Sequence, residues 1–244
     1  MYYYIISIGV MLLCAAIGAS ASMKVHRAFN KYGNMPTRSR MTGYDTARRL
    51  LRAGGVKDIS VGKVRGHLSD HYHPTKKVVN LSESTFGSDS IAAVAVAAHE
   101  IGHVMQKKKG YPLYKLRQVL VPITNIGSAL AMPLVLIGLI LDFAVASTQN
   151  SDMGWYLALA GVALYGLSTV FALVTLPVEF NASKRAKQML VAEGILTDGE
   201  LPYADKMLDA AANTYVASLL TSLIYFLRFA LWVFIIFGGR RRRD

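Results

Sequence analysis

The chain has 244 residues, of which 53% are apolar, and it carries a formal net charge of +12 at pH 7. A soluble globular domain rarely combines so apolar a composition with so strong a basic charge, whereas a membrane protein with basic cytoplasmic segments does so readily. Composition therefore argues against a soluble enzyme and predicts a mainly α-helical membrane protein with several transmembrane helices.

The first predicted element is a transmembrane anchor at residues 2–22. No charged residue occurs in these 21 positions, which are enough to cross a hydrocarbon layer of about 30 Å. The run Ala19-Ser20-Ala21 resembles a signal-peptidase site, but no basic residue precedes it and many follow it. We therefore expect an uncleaved anchor, with cleavage after this run as the alternative.

Residues 23–118 form the next predicted part, a small α+β domain. Tyr44–Ala53 is typical of a short helix that ends at a glycine pair, since glycine favours helix ends. Ile59–Arg65 and Lys76–Leu81 alternate in polarity and are bounded by turn residues. They are predicted to be the two strands of a short β-hairpin joined by a histidine-rich turn.

Three histidines, His67, His71 and His73, lie between the two predicted strands. Spacings of four and two residues in a turn do not define a coordination geometry, and no cysteine accompanies them. A metal site is one interpretation, and structural or solvated histidines are the other, which we favour.

The most informative motif is His99-Glu100-Ile101-Gly102-His103, an HExxH inside a predicted helix at about residues 90–109. Residues four apart share one face of a helix, so both imidazoles can reach the same metal ion while Glu100 lies beside it. Two neutral imidazoles, a third ligand, an open position for water and a nearby carboxylate are the parts of a zinc hydrolase. The alternative is a buried apolar helix whose two histidines are four apart by chance.

A strand beside the metal helix could also bind substrate. In many zinc proteases an extended substrate pairs with a strand edge through main-chain hydrogen bonds. The candidate residues here are Val78, Val79 and Asn80. The alternative is that the hairpin only covers the metal helix.

Residues 119–178 are predicted to be a transmembrane hairpin. Val119–Leu141 contains no charge over 23 residues and Met153–Val178 none over 26, so each can span a bilayer. Residues 23–118 contain 18 Lys and Arg, whereas the connection Asp142–Asp152 contains two Asp and no basic residue. The positive-inside rule then places residues 23–118 in the cytoplasm and the connection outside.

The third metal ligand must come from farther along the chain. A metzincin would have glycine and histidine where this chain has Gln106 and Lys109, so that class is excluded. Glu179 is the first carboxylate after the hairpin on the cytoplasmic side, and we predict that it opens a helix Val178–Val191 within a cytoplasmic helical part at residues 179–209. The alternative is that Glu179 only caps that helix. In that case Glu193 is the next candidate for the third ligand.

The last apolar stretch, residues 210–239, is harder to assign. Arg228 interrupts it, and the run Arg240–Arg243 would end on the external side if the stretch crossed the membrane outward. We expect an apolar helix that is either spanning or re-entrant and interfacial.

Several motifs together resemble a known family. The segments LSDHYHP, NLSES and AAVAVAAHEIGH between residues 67 and 106, LPVEFNASKRA at Leu176–Ala186, and the later LDAAANTYVASLL are similar to the YugP-like bacterial membrane-bound neutral zinc metallopeptidases. The order of an HExxH, a membrane hairpin and a glutamate also resembles the more distant HtpX and Ste24 proteases. The resemblance implies a gluzincin with one zinc per chain on His99, His103 and Glu179, and Glu100 as the general base.

Two positions depart from the patterns of these families. HtpX-type proteases have an aspartate four residues after the glutamate ligand to orient a histidine, and this chain has Ser183. Ser183 itself, Asn181 or a carbonyl is expected to take over that contact. His73 stands where YugP-like proteins usually have aspartate. Tyr215 is a candidate donor to the oxyanion, and a packing tyrosine is the alternative.

These features predict a zinc metalloendopeptidase that hydrolyses membrane or membrane-proximal proteins with zinc-activated water. The expected location is the bacterial cell membrane, with several spans and the active site on the cytoplasmic side. Expected partners are peptide or protein substrates and the lipid bilayer, whose anionic head groups the basic runs would contact, and not nucleic acid. The main alternative is a non-catalytic zinc-binding membrane adaptor; a transporter would need more ionisable residues within its spans.

Overall fold

The computed structural model describes residues 2–144 and 152–241. Within them the chain is mainly helical, as predicted, with a small three-stranded sheet. The helices are α1 Tyr2–Gly33, α2 Gly43–Ala53, α3 Glu83–Phe86, α4 Ile91–Lys108, α5 Pro112–Ala144, α6 Met153–Ala192 and α7 Leu201–Arg241. The strands are β1 Ser60–Val64, β2 His71–His73 and β3 Val78–Ser82. Most of the predicted external connection at 142–152 lies outside the described residues, as do Arg242 and Arg243.

Four helices are long and apolar enough to cross a membrane. The candidate spans are Ile5–Gly33, Pro112–Leu141, Met153–Ala192 and Leu201–Phe237. Each of the four apolar stretches recognised in the sequence overlaps one of them over most of its length. The helices that carry these stretches continue into charged sequence, so that α1 extends beyond residue 22 and α6 beyond residue 178.

The described residues divide into two compact units. One contains the chain up to residue 17, residues 116–175 and the chain from residue 217 onward. Its core surrounds Val135, Val162 and Val233, and Thr169 of α6 lies within hydrogen-bonding distance of Ser222 of α7, at 3.0 Å between hydroxyl oxygens. This unit contains parts of all four candidate spans.

The second unit contains residues 18–115 and 176–216. Its core surrounds α4, whose residues from Ile91 to Gln106 are buried except Val96 and His99. Ser90 caps this helix, since its hydroxyl accepts a hydrogen bond from the backbone N–H of Ala93. The helix predicted at about 90–109 is thus confirmed. A helix buried on nearly all sides suits the Ala-rich sequence of α4, because small side chains let neighbouring elements pack closely.

The predicted β-hairpin is wrong in its pairing. The strand order is β1-β3-β2, in which β1 and β3 are parallel and β2 is antiparallel to β3. The segment expected to be only a turn contains β2, and Lys77 adopts a positive φ of 51° in the tight turn from β2 to β3. The true hairpin is therefore β2–β3. Local alternation detects strands but does not report which strands pair or in which direction.

The predicted helix start at Val178 is also wrong. Glu179 lies in the middle of the continuous helix α6, with Pro177 inside it, so Glu179 is not a helix cap. A proline weakens a helix by removing one N–H donor, but packing can compensate. Four positions spaced by four residues bury their side chains completely in the core of the second unit, and these are Val178, Ala182, Ala186 and Leu190.

Candidate metal centre

The three predicted metal ligands come together in the second unit. Helix α4 carries His99 and His103, and α6 carries Glu179. The carboxylate oxygen Oε2 of Glu179 lies 3.1 Å from His99 Nε2 and 3.3 Å from His103 Nε2. One donor atom from each of the three side chains lies within 4.8 Å of the others. The structure therefore brings together the three residues that the sequence nominates as ligands.

The three side chains lie in a largely dry environment. The side chain of His99 is 14% exposed, that of His103 is 10% exposed and that of Glu179 is 1% exposed. Burying a carboxylate so deeply is unfavourable unless cations or hydrogen-bond donors surround it. Such a cluster is expected where a metal ion or protonated imidazoles balance the charge.

Gly102 allows the two helices to approach closely enough to form the site. A Cβ atom placed on Gly102 would lie 2.5 Å from the backbone oxygen of Ala182 on α6. Real Cβ atoms do not approach backbone so closely, so a larger residue would push the helices apart. Ala182 is itself fully buried. The small residues in the middle of the HExxH and beyond Glu179 thus set the distance between the ligands.

The ring of His99 is oriented by Ser183. The Nδ1 atom of His99 lies 3.1 Å from the Ser183 hydroxyl oxygen, while its Nε2 atom faces Glu179. When Nδ1–H donates to the hydroxyl, the Nε2 lone pair is available for a metal ion. Ser183, Asn181 or a backbone carbonyl was expected to orient this histidine, and the structure places Ser183 at that contact.

The ring of His103 is held by Gln106, a residue whose place in the sequence indicates only that the chain is not a metzincin. The carbonyl oxygen of Gln106 lies 3.0 Å from His103 Nδ1. The amide nitrogen of Gln106 donates to the Val178 carbonyl at 2.7 Å and to Asn181 Oδ1 at 3.0 Å. Gln106 is completely buried, and its hydrogen bonds connect α4 with α6.

Glu100 lies beside His99 on α4 and is 8% exposed. Burial raises the pKa of its carboxyl to about 7, and the negative charges of Glu179 and Asp70 act in the same direction. The charge of His99 and a hydrogen bond from the Tyr72 backbone oppose this shift. A carboxyl group with such a pKa can take up and release a proton near neutral pH.

Val78, Val79 and Asn80 are not on a sheet edge. They belong to β3, the central strand, which pairs with β1 on one side and β2 on the other. The expectation that they form a free edge for substrate is therefore wrong, because their main-chain groups already belong to two ladders. The strand beside Glu100 is β2, since the backbone of Tyr72 lies near enough to the Glu100 carboxyl to lower its pKa.

The remaining predicted residues are more distant from the ligands or have other contacts. Asn181 accepts hydrogen bonds from Gln106 and from Arg185 Nε, the latter at 2.8 Å. Glu193 forms an ion pair with Arg49 at 3.3 Å. Tyr215 is a half-buried residue of α7, and its proposed role as oxyanion donor stays a prediction.

The histidines before β3 have structural contacts. His67 stacks on His26 with 5.6 Å between ring centroids, and His71 Nε2 lies 3.0 Å from the side-chain nitrogen of Asn80. His73 Nδ1 accepts a hydrogen bond from the Lys76 backbone. Within the described part of the chain they do not belong to a group of three possible metal ligands. These contacts support the structural interpretation.

The donor set on α4 and α6 fits a zinc ion. Two imidazole nitrogens and one carboxylate oxygen are a typical set for Zn²⁺ when a fourth position stays open. The other ring nitrogens of both histidines contact Ser183 or Gln106, which is how metal-binding imidazoles are usually oriented. The residues present are therefore suitable to hold zinc.

Comparison with known proteins agrees with this chemistry. A family described as "putative neutral zinc metallopeptidase" matches residues 3–234. A relative named "Putative membrane protease YugP", from Bacillus subtilis (strain 168), is 42% identical over 233 residues, which cover 95% of this chain and 97% of the relative. No solved structure shows a significant match. This chain is a member of that zinc metallopeptidase family.

Proposed function

We propose that the protein is a zinc metalloendopeptidase of the gluzincin type that cleaves membrane proteins or their membrane-proximal segments. The observation that carries the proposal is the cluster of His99, His103 and Glu179, with the buried Glu100 next to it on the same helix. One zinc ion held by these three ligands would supply a Lewis acid that acidifies a water molecule and polarises the peptide carbonyl.

The residues of the chain have distinct tasks in this reaction. Glu100 accepts the proton of the attacking water and returns it to the leaving amine, and its burial makes it a stronger base than an exposed carboxylate. Ser183 and Gln106 orient the two imidazoles. The depth of the site excludes bulk water from the reacting groups. Tyr215 is retained as a candidate oxyanion donor.

Substrate binding is assigned to β2 in place of β3. Strand β2 is an edge of the sheet, and the backbone of Tyr72 on it lies near Glu100. An extended peptide that pairs with this edge would have its backbone next to the proposed general base. Main-chain pairing of this kind binds peptides with little dependence on their side chains.

The proposed location is the plasma membrane of a bacterium, with the active site in the cytoplasm. The positive-inside rule supports it, because residues 23–118 contain 18 Lys and Arg and the connection at 142–152 contains none. Both His99 and Glu179 then lie on the cytoplasmic side. Membrane proteins with cytoplasmic loops or ends are the substrates within reach of such a site.

Replacement of Glu100 by glutamine tests the mechanism. We expect Glu100→Gln to lose about 10²- to 10⁴-fold in peptidase rate and to keep its zinc, because the amide has the same shape but cannot accept the proton. Rate is measured on a quenched fluorescent peptide and on a membrane protein in proteoliposomes, and zinc by elemental analysis.

Glu193→Gln is the matched control, since it makes the same change at a carboxylate outside the cluster, and it should retain full rate. Equal rates for Glu100→Gln and wild type would exclude Glu100 as the base. If the zinc-loaded wild type cleaves neither substrate, a zinc-binding adaptor becomes the better assignment.

A further inference from the structure

A cavity in the first unit is lined by Arg228, a charged residue within the apolar stretch 210–239. Its volume is about 420 Å³, and its lining comes from α5, α6 and α7. The polar or aromatic side chains that matter here are Ser128, Tyr165, Tyr225, Arg228 and Trp232. Tyr225, Arg228 and Trp232 are spaced by three and four residues and share one face of α7.

Arg228 is the only charged residue in the stretch 210–239. At 1.5 Å per residue it lies about 28 Å along the helix from Asp209 and about 18 Å from Arg240, and thus deep in the apolar region. Among the described residues its guanidinium makes no hydrogen bond and no ion pair. An arginine in a membrane normally faces a partner or a functional cavity, because an isolated charge there is unfavourable.

We propose that this cavity binds the carboxylate of an Asp or Glu within a transmembrane helix of a partner protein. The guanidinium offers five N–H donors in a planar arrangement that matches a carboxylate, and the hydroxyl groups of Tyr165 and Tyr225 can add hydrogen bonds. The rings around it exclude water and so strengthen the ion pair. A volume of about 420 Å³ can hold one carboxylate side chain but not a whole helix.

Charge complementarity and depth identify the occupant. Lipid phosphates lie at the ends of the hydrocarbon layer, whereas a carboxylate on a partner helix can lie at the same depth as Arg228. A second copy of this chain cannot supply the group, because residues 2–22, Val119–Leu141, Met153–Val178 and residues 210–239 contain no Asp or Glu. Binding of a carboxylate at this cavity does not depend on the peptidase reaction.

Binding of designed peptides tests this inference. The full-length protein is reconstituted in phosphatidylcholine vesicles with a single-span Leu/Ala peptide that has one central Asp, and association is measured by energy transfer between labelled peptide and protein. We expect the Asp peptide to bind about tenfold tighter than the same peptide with Asn. Arg228→Gln should reduce the binding of the Asp peptide to that of the Asn peptide.

Leu227→Gln is the matched control, because it introduces the same amide at the adjacent, 57% exposed position and should leave the difference between the peptides intact. Equal binding of the two peptides to the wild type would overturn the proposal. Binding of a lipid in place of a carboxylate would also overturn it. In that case the wild type, but not Arg228→Gln, would enrich phosphatidylglycerol around itself in mixed vesicles, and the two peptides would bind alike. Thermal unfolding of Arg228→Gln and Leu227→Gln at the same temperature ensures that the comparison reports binding.

Discussion

Gln106 is a fully buried residue that bonds to both chain segments of the metal site. Its carbonyl oxygen receives the Nδ1–H of His103, and its amide group donates to Val178 and Asn181. The two donated bonds fix the orientation of the amide, so the ring of His103 presents Nε2 to the metal position. The residue acts on the ligand and does not contact the metal position itself.

We expect Gln106→Met to weaken zinc binding by about 10- to 100-fold and to lower the free energy of unfolding by about 1–3 kcal/mol. Methionine fills a similar volume but leaves His103 Nδ1–H without its acceptor. Zinc affinity is measured by competition with a chromogenic chelator. Gln188→Met, the same exchange at an exposed position of α6, should have no effect, and unchanged zinc affinity in Gln106→Met would refute the role of Gln106.

For single residues, the sequence predicts the metal-binding histidines but not the hydrogen bonds that orient them. The four-residue spacing of His99 and His103 is visible in the sequence because one helix carries both. The partners of Gln106 follow it by 72 and 75 residues, so no local pattern reveals them. A polar residue on the apolar face of a predicted helix was the available signal, since a buried amide must find partners.

Among the elements, the packing of α4 against α6 decides whether the ligands meet. Contact between backbones at Gly102 and Ala182 leaves no space for a side chain. We expect Gly102→Ala to cost about 1–3 kcal/mol of stability despite the higher helix propensity of alanine, and to weaken zinc binding by separating His99 from Glu179.

Thermal unfolding with and without zinc measures both effects of Gly102→Ala. The control is Gly199→Ala, because a Cβ at Gly199 has no atom within 4 Å. Its stability and zinc affinity should stay close to those of the wild type. If Gly102→Ala binds zinc as tightly as Gly199→Ala, the close approach of the helices is not what sets the ligand distances.

The elements also mark the limit of prediction from sequence. Long apolar stretches and the capped metal helix were predictable, because length, periodicity and cap residues are local properties. The direction of β1 relative to β3 was not, since β2, which lies between them in the sequence, pairs with the other side of β3 in the sheet. The continuation of α6 through Pro177 was missed for a similar reason: the burial of Val178 and Ala182 outweighs the local effect of proline.

For the whole molecule, the proposed zinc ion would link two distant parts of the chain. His103 precedes the segment 119–178 and Glu179 follows it, so the ligand set exists only in the folded protein. A metal ion that binds only the folded state stabilises it, by about 4 kcal/mol when the concentration of the free ion exceeds its dissociation constant a thousandfold. Chelation should therefore lower the melting temperature in detergent.

Glu179→Ala should abolish most of the difference in melting temperature between zinc-loaded and chelated protein, whereas Glu193→Ala should preserve it. Limited proteolysis near Pro177 gives an independent readout, because loss of zinc should expose this part of the chain. Complete removal of zinc without any change in melting or cleavage would show that the metal does not connect the two segments.

The separation of the ligands along the chain also matters while the protein is being synthesised. Glu179 follows His103 by 76 residues, and at about 5–20 residues per second a ribosome needs about 4 to 15 s to translate that distance. On the proposed assignment, a nascent chain that has already exposed its HExxH still lacks a complete metal site. Neighbouring proteins at the site of membrane insertion are then protected from an unfinished protease by the order of the ligands along the chain.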